Sequence, residues 1–193
     1  MSAKVTSAEK KVRKLESTMM KNKIKLAKLR AKIPLTPVDS YSFVGRDGKP
    51  VALKKLFGRY DQLILIHNMG QMCTYCSLWA DGFNGLLGQI ARRAAFVVET
   101  PDPVATQRKL AKKRGWKFDM VSSQGTSFRK EMGYENNKGY PYPGISTFVK
   151  KGEKVYRAGH GSFGRGDNFC VLWDMFDLLP GRVKDFKPVS NRV

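Results

Sequence analysis

Residues Gln62 to Asn68 form a continuous, mostly apolar run, strongest from Leu63 to Ile66, that leads into Met72, Cys73, Thr74, Tyr75 and Cys76. A run of this kind, without alternation of period two, suits a central strand covered on both faces. The stretch from Cys76 to Arg92 then has a helical pattern. A buried strand that passes a C-x-x-C pair to a helix N-terminus sets a thiol where unpaired N–H groups and about half a positive charge favour the thiolate. The chain therefore needs a sheet wrapped on both sides and a reactive end to it.

The neighbouring patterns supply that wrapping. Tyr41 to Gly48 read as a strand and a turn at Arg46, Asp47 and Gly48, followed by Val51 to Phe57. After the central run, Ala94 to Thr100 read as a second strand, and Pro103 to Arg114 as a helix begun by Asp102 and ended by Gly115. Strand, helix, strand, helix implies parallel pairing. Met120 to Ser122 read as a short strand and Ser127 to Met132 as a short helix. Ile145 to Lys150 and Lys154 to Arg157 make a hairpin around Lys151, Gly152 and Glu153, and Asp167 to Leu179 a last amphipathic helix. This order is that of an α/β, thioredoxin-like three-layer fold with a central mixed sheet, over residues 35–193.

A different pattern precedes it. Val5, Ala8, Val12, Leu15, Met19, Asn22, Leu26, Leu29 and Ile33 follow one another in steps of three and four, the seam of a heptad repeat. Thr6 with Glu9 has capping-box spacing and Pro34 stops the helix, so residues 1–34 are expected to form one long basic amphipathic helix. Residues 1–33 hold 11 Lys or Arg against Glu9 and Glu16, a net of +9 within a total of +20 for the 193 residues. The stripe is expected to lie on the chain's own domain or on a sister subunit. In a parallel two-stranded coil Lys4 faces Glu9 and Lys11 faces Glu16, but Lys25 faces Arg30. Antiparallel pairing or an acidic partner would relieve that repulsion, and the sequence does not choose among these.

Charge also tests other classes. The 41% hydrophobic and 11% aromatic fractions exclude a disordered polycation. Lysines neutralise phosphates, yet no recognition motif or interleaved aromatics accompany them, which argues against nucleic acid. No stretch approaches the ~20 apolar residues of a membrane span. Three cysteines are too few and odd in number for a secreted disulfide framework, and the N-terminus lacks a signal-like apolar segment. A cytoplasmic protein is expected.

The block Met72 to Gly85 is similar to the C-x-x-C-S-x-W-A-D-G-F-N-G signature of a bacterial thioredoxin-like family, domain of unknown function 899, described as dithiol-disulfide oxidoreductases. Tyr41, Phe43 and Gly45 to Gly48 resemble its first strand. Arg114, Gly115, Trp116, Phe118, Val121, Ser122 and Ser123 resemble its R-x-G-W-x-F-x-x-V-S-S block. Pro143, Gly144, Ile145, Ser146 and Phe148 resemble its P-G-x-S-x-F segment, Arg165 with Gly166 its late R-G, and Arg30 to Pro34 the end of its basic N-terminal helix. The resemblance implies a thiol-disulfide oxidoreductase with a redox-active disulfide and no other cofactor. Its partners would be a protein or small-molecule disulfide and an electron donor.

Within that reading Cys73 is the nucleophile and Cys76 the resolving thiol, because the second cysteine of such a pair lies deeper in the helix. Pro143 stands where thioredoxin-like proteins hold a cis-proline loop against the dithiol. An X-Pro bond is cis in only ~5 to 6% of cases, but position favours cis at Tyr142 to Pro143, with backbone of Tyr142, Pro143 and Gly144 free to pair with an extended substrate.

His67 could activate the thiol, with a satisfied structural histidine as the competing role. Trp79, Asp81, Trp116 and Ser122 either support the dithiol or pack the helix and strand ends. Asp81 is a weak proton-transfer candidate. A dedicated peroxidase is disfavoured, since the threonine and proline of the peroxiredoxin pattern are replaced by Gly70 and Ile66 before Cys73, and by Cys73 and Met69 before Cys76. Zinc lacks a second C-x-x-C among Cys170, His67 and His160. Gly159, Gly161 and Gly164 read as a glycine-rich loop, since too little chain follows for a dinucleotide-binding half. Cys170 reads as a buried, inert thiol. The alternative function is a thioredoxin-like binding or redox-sensing module that holds an acidic partner through the basic helix.

Overall fold

The computed structural model describes residues 6–182 and 184–189. The chain divides into two compact units, Met1–Leu35 and Thr36–Val193.

The first unit is a single helix, α1 (Ser7–Arg30), followed by a turn. Its capping box is complete: the Thr6 hydroxyl accepts from Glu9 N at 3.2 Å, and Thr6 N donates to Glu9 Oε2 at 2.6 Å. The helix stops at Arg30 rather than at Ile33, because the residue before Pro34 is kept out of the α region. None of its residues is buried.

In the second unit β1 (Thr36–Val38) and the hairpin of β2 (Ser42–Val44) and β3 (Pro50–Ala52) precede a 3₁₀ turn at Leu53–Phe57. Then come β4 (Gln62–His67), α2 (Thr74–Ile90), β5 (Ala95–Thr100), α3 (Val104–Arg114), β6 (Asp119–Ser122), α4 (Phe128–Glu131), β7 (Gly144–Lys151), β8 (Lys154–Ser162) and α5 (Leu172–Asp177). The sheet order is β1-β8-β7-β4-β5-β6-β2-β3. The strands β4, β5 and β6 run parallel and the rest of the ladder is antiparallel, as the alternation of strands and helices implies. The outcome is the expected mixed α/β, thioredoxin-like architecture.

Residue parity along β4 and β5 divides the core. Leu63, Leu65, Ala95 and Val97 face the side that also holds Phe43, Phe57 and Phe128. Ile66 and Val98 face the side covered by Trp79 and Phe83 of α2, Ala111 of α3 and Trp173 of α5. Both faces of the central strands are dry, which is why β4 reads as an unbroken apolar run.

Three further expectations differ from the structure. The strand β8 runs on to Ser162, so Gly159 and Gly161 belong to a strand, opposite Thr147 and Ile145, and not to a loop. A β-carbon at Gly159 would stand 3.2 Å from Thr147 Oγ1, a close contact that the threonine side chain would have to yield to. The last helix is shorter than Asp167 to Leu179, because the Asp167 carboxylate accepts from Phe169 N (2.7 Å), Cys170 N (3.1 Å) and Gly164 N (2.8 Å) in a local turn. Asp102 does not begin α3. Pro103 is the N-cap and makes no side-chain cap bond, and the Asp102 carboxylate is used elsewhere, as described next.

Candidate active site

The helix α2 begins at Thr74 with Cys73 as its N-cap, in extended geometry (φ −108°, ψ 101°). The Cys73 sulfur takes the role that a serine or aspartate oxygen fills at ordinary caps: it accepts the Cys76 backbone N–H at 3.1 Å. The side chain of Cys73 is half-buried, while Cys76, one turn further, is buried. Both are free thiols in this structure.

This asymmetry sets their acidities. The Cys76 side chain and the backbone N–H groups of Cys76 and Tyr75 stabilise the Cys73 thiolate against the opposing effect of burial, and lower its pKa to about 7. Cys76 is pushed far up, by its bond to Cys73, by burial and by the neighbouring negative charge. One thiol is ionised near neutrality and the other keeps its proton.

The loop that carries Cys73 is built rather than slack. Gly70 N donates to Asn68 Oδ1 at 2.8 Å, Cys73 N donates to the Gly70 carbonyl at 3.1 Å, and Asn68 Nδ2 reaches the Cys76 carbonyl at 3.5 Å. The Asp102 carboxylate accepts Gln71 N at 2.7 Å and presses on Gly70, where a β-carbon would lie 2.6 Å from Asp102 Oδ1. Gly70 also has φ +88°, so both space and backbone demand glycine. Burial raises the Asp102 pKa, against the Gln71 bond and the Arg129 charge. Ser122 is buried and donates to the Asp102 carbonyl at 2.7 Å, so its role is to hold this loop.

His67 stands away from the dithiol. It continues the parity of Leu63 and Leu65, on the face opposite α2, and stacks on Tyr134 (3.8 Å between ring centroids) and on Phe128 (5.6 Å). Its Nδ1 lies 3.1 Å from Glu99 Oε2 and its Nε2 2.9 Å from Ser146 Oγ. Burial lowers the His67 pKa to about 4, and the Glu99 hydrogen bond only partly offsets that. The ring is therefore neutral, with Nδ1 donating to the carboxylate and Nε2 accepting the serine proton. Both nitrogens are spent, which is the structural role.

Glu99 and Arg129 complete this cluster, and no local sequence pattern singles either out. Arg129 Nη1 donates to both Glu99 oxygens (3.0 and 2.8 Å) and to the Asn68 carbonyl (3.0 Å), and Nη2 donates to the Tyr142 carbonyl at 3.0 Å. Burial alone would raise the Glu99 carboxyl, but the Arg129 charge, with His67 and Ser123, holds it below the usual range. One buried guanidinium thus ties β5, the dithiol loop and the segment before β7 together.

The same guanidinium bonds the proline segment. No cis peptide bond occurs among the described residues, so Tyr142 to Pro143 is trans, contrary to the expectation from position. Tyr142 N donates to the Tyr134 carbonyl at 2.8 Å and its carbonyl accepts from Arg129, while the Pro143 carbonyl accepts Phe163 N at 3.1 Å. Gly144 is flanked by His67 of β4 and Ser162 of β8. These backbone groups have internal partners and do not offer an edge to a substrate. A side chain at Gly144 would overlap the Tyr134 ring. The Tyr142 side chain is exposed.

Two other expected site residues form a brace instead. Asp81 accepts from Arg114 Nη1 at 2.8 Å and from Trp116 Nε1 at 2.7 Å, which fastens α2 to the end of α3. It stands about 12 Å of helix rise beyond Cys73 and is not a proton-transfer group for it. Trp79 is buried against Phe163 and Trp173 on the α2 side of the core. Tyr75, between the two cysteines, contacts the ring of Trp79 and donates its hydroxyl to the Phe186 carbonyl at 3.3 Å. Cys170 is buried, and burial raises its pKa.

Sheet order, helix placement and a thiol-capped α2 define a thioredoxin-like domain. It is similar to the peroxidoxin BcpB from Mycobacterium tuberculosis, with TM-score 0.56 and 23% identity over 66% of this chain and 84% of that one. It is also similar to a peroxiredoxin-like protein from Aquifex aeolicus, with TM-score 0.53 and 14% identity over 66% and 74%. The mitochondrial 2-Cys peroxiredoxin from Plasmodium falciparum gives TM-score 0.53 and 11% identity over 68% and 83%. At these identities the likeness is one of fold. The chain belongs to the family described as "Bacterial protein of unknown function (DUF899)", whose sequence profile matches residues 2–192. No curated protein matches it.

Proposed function

We propose that this protein is a thiol-disulfide oxidoreductase in which Cys73 attacks and Cys76 resolves. The observation that carries the reading is the N-cap sulfur of Cys73, which accepts the Cys76 N–H at 3.1 Å and has a pKa of about 7, beside a buried, protonated partner. The Cys73 thiolate attacks one sulfur of a substrate disulfide, forming a mixed disulfide and expelling the other sulfur as a thiolate. Cys76 then attacks Cys73; the Cys73–Cys76 disulfide forms, the second substrate sulfur leaves, and the proton of Cys76 ends on it. Two electrons have passed to the substrate, and an external dithiol donor restores the pair. A reducing compartment such as the cytoplasm suits this direction.

A second reading, a thiol peroxidase, is favoured by the peroxiredoxin-type fold. The peroxiredoxin threonine and proline are absent ahead of both cysteines, so it ranks second. Turnover of a model disulfide with a dithiol donor separates the two. Wild type is expected to turn over, Cys73→Ser to fall to the background rate, and Cys76→Ser to accumulate a mixed disulfide on Cys73, seen as added mass. No turnover by wild type, or equal turnover by Cys73→Ser, overturns the first reading; fast hydrogen peroxide consumption in its place establishes the second.

A further inference from the structure

The helix α1 forms a unit with its own internal contacts and buries none of its residues, yet carries an apolar seam interrupted only at Asn22. Val12, Leu15, Met19, Leu26 and Leu29 are 55, 62, 61, 41 and 53% exposed. A seam of three-and-four spacing along about 36 Å of helix is built to be covered by another helix. We propose that a second copy of this chain covers it, antiparallel, as a two-stranded coil.

The observed limits of the helix decide the direction that periodicity leaves open. Val12, Met19 and Leu26 occupy one seam position, and Ala8, Leu15, Asn22 and Leu29 the other. Antiparallel pairing stacks Val12 on Leu29 of the second copy, Leu15 on Leu26, and Met19 on Asn22. The flanking charges then meet as Glu9 with Arg30 and Glu16 with Lys23, each attractive and each repeated by the two-fold axis. Thr18 with Lys25 is neutral. The only like-charge pair, Lys11 with Lys32, falls away from the coil because the helix ends at Arg30, before Lys32.

Parallel pairing fares worse on the same helix. Lys11 with Glu16 attracts, but Lys25 with Arg30 repels, and both of those lie inside Ser7–Arg30. The second favourable parallel pair, Lys4 with Glu9, needs a residue ahead of the Thr6 N-cap. Asn22 facing Asn22 would suit a parallel coil. In the antiparallel one the two Asn22 side chains straddle the axis about 4.5 Å apart along it, within reach of each other. Complementary charge at the flanks therefore selects the antiparallel homodimer.

Analytical ultracentrifugation of the full chain tests this independently of any redox activity. Wild type is expected to dimerise. Lys23→Glu with Arg30→Glu brings glutamates against Glu16 and Glu9, and weakens the dimer by about tenfold or more; adding Glu9→Lys and Glu16→Lys to that variant restores it. In a parallel coil the first pair of changes would turn Lys25 with Arg30 into an attraction and tighten the dimer, which overturns the orientation. Leu15→Glu with Leu26→Glu is expected to give monomers whose body keeps its unfolding midpoint; a persisting dimer overturns the surface. A monomeric wild type overturns the proposal outright.

Discussion

The helices α1 and α2 are both well capped, and they use their caps for opposite ends. At α1 Thr6 and Glu9 form a conventional box on a helix that buries nothing, so local signals alone define it. At α2 the capping atom is the Cys73 sulfur, and the helix buries Cys76, Ser77, Trp79, Ala80 and Phe83. A cap on a solvated helix serves the helix. A cap braced by a packed domain makes the donated N–H groups stabilise a thiolate, which turns the same hydrogen bond into chemistry.

The largest effect that separates the two regions is expected at the buried charges. Arg129→Ala removes the counter-charge of Glu99, leaving it only the neutral His67 and Ser123, in a site where the Arg129 and Glu99 side chains are 2% and 0% exposed, and costs about 3 to 5 kcal/mol. It is read as a lower urea midpoint of the body. The matching removal of a charge from α1, Lys21→Ala, leaves that midpoint in place; equal effects would erase the distinction between arm and body.

The next effect is one of acidity. Cys73 has a lowered pKa, so its thiolate fraction and its alkylation rate rise with pH and reach half their maximum at about pH 7. Cys76→Ala removes the leading stabilising bond and moves that midpoint upward, toward the ~8.5 of a free cysteine. An unmoved midpoint would assign the acidity to the helix end alone. The smallest effect is at the other cap: Thr6→Ala lowers helix stability by about 1 kcal/mol, read as faster amide exchange in the first turn of α1, with disulfide turnover unchanged.

The dithiol was legible because its signal is local: an apolar strand, a short loop, two cysteines at helical spacing. The parallel strands followed from the alternation of strand and helix patterns. The surroundings of the dithiol were not legible. His67 lies six residues before Cys73 in the chain, yet strand parity turns it to the opposite face. Asp102 looked like a helix cap and instead grips the loop at Gln71. Asp81 looked like a group near the site and braces Arg114 and Trp116. The backbone at Tyr142 looked free for a substrate and is held by Arg129 and Tyr134.

By itself, then, the amino-acid order determined the alternation of the central strands and helices, where α1 begins and which thiol caps α2, because capping, periodicity and apolar runs act over a few residues. Only the tertiary structure decided what Glu99, Arg129, Asp102 and Tyr142 do. Their partners lie beyond the reach of any local pattern, and a buried charge or carbonyl takes whichever complementary group the packed sheet brings within about 3 Å.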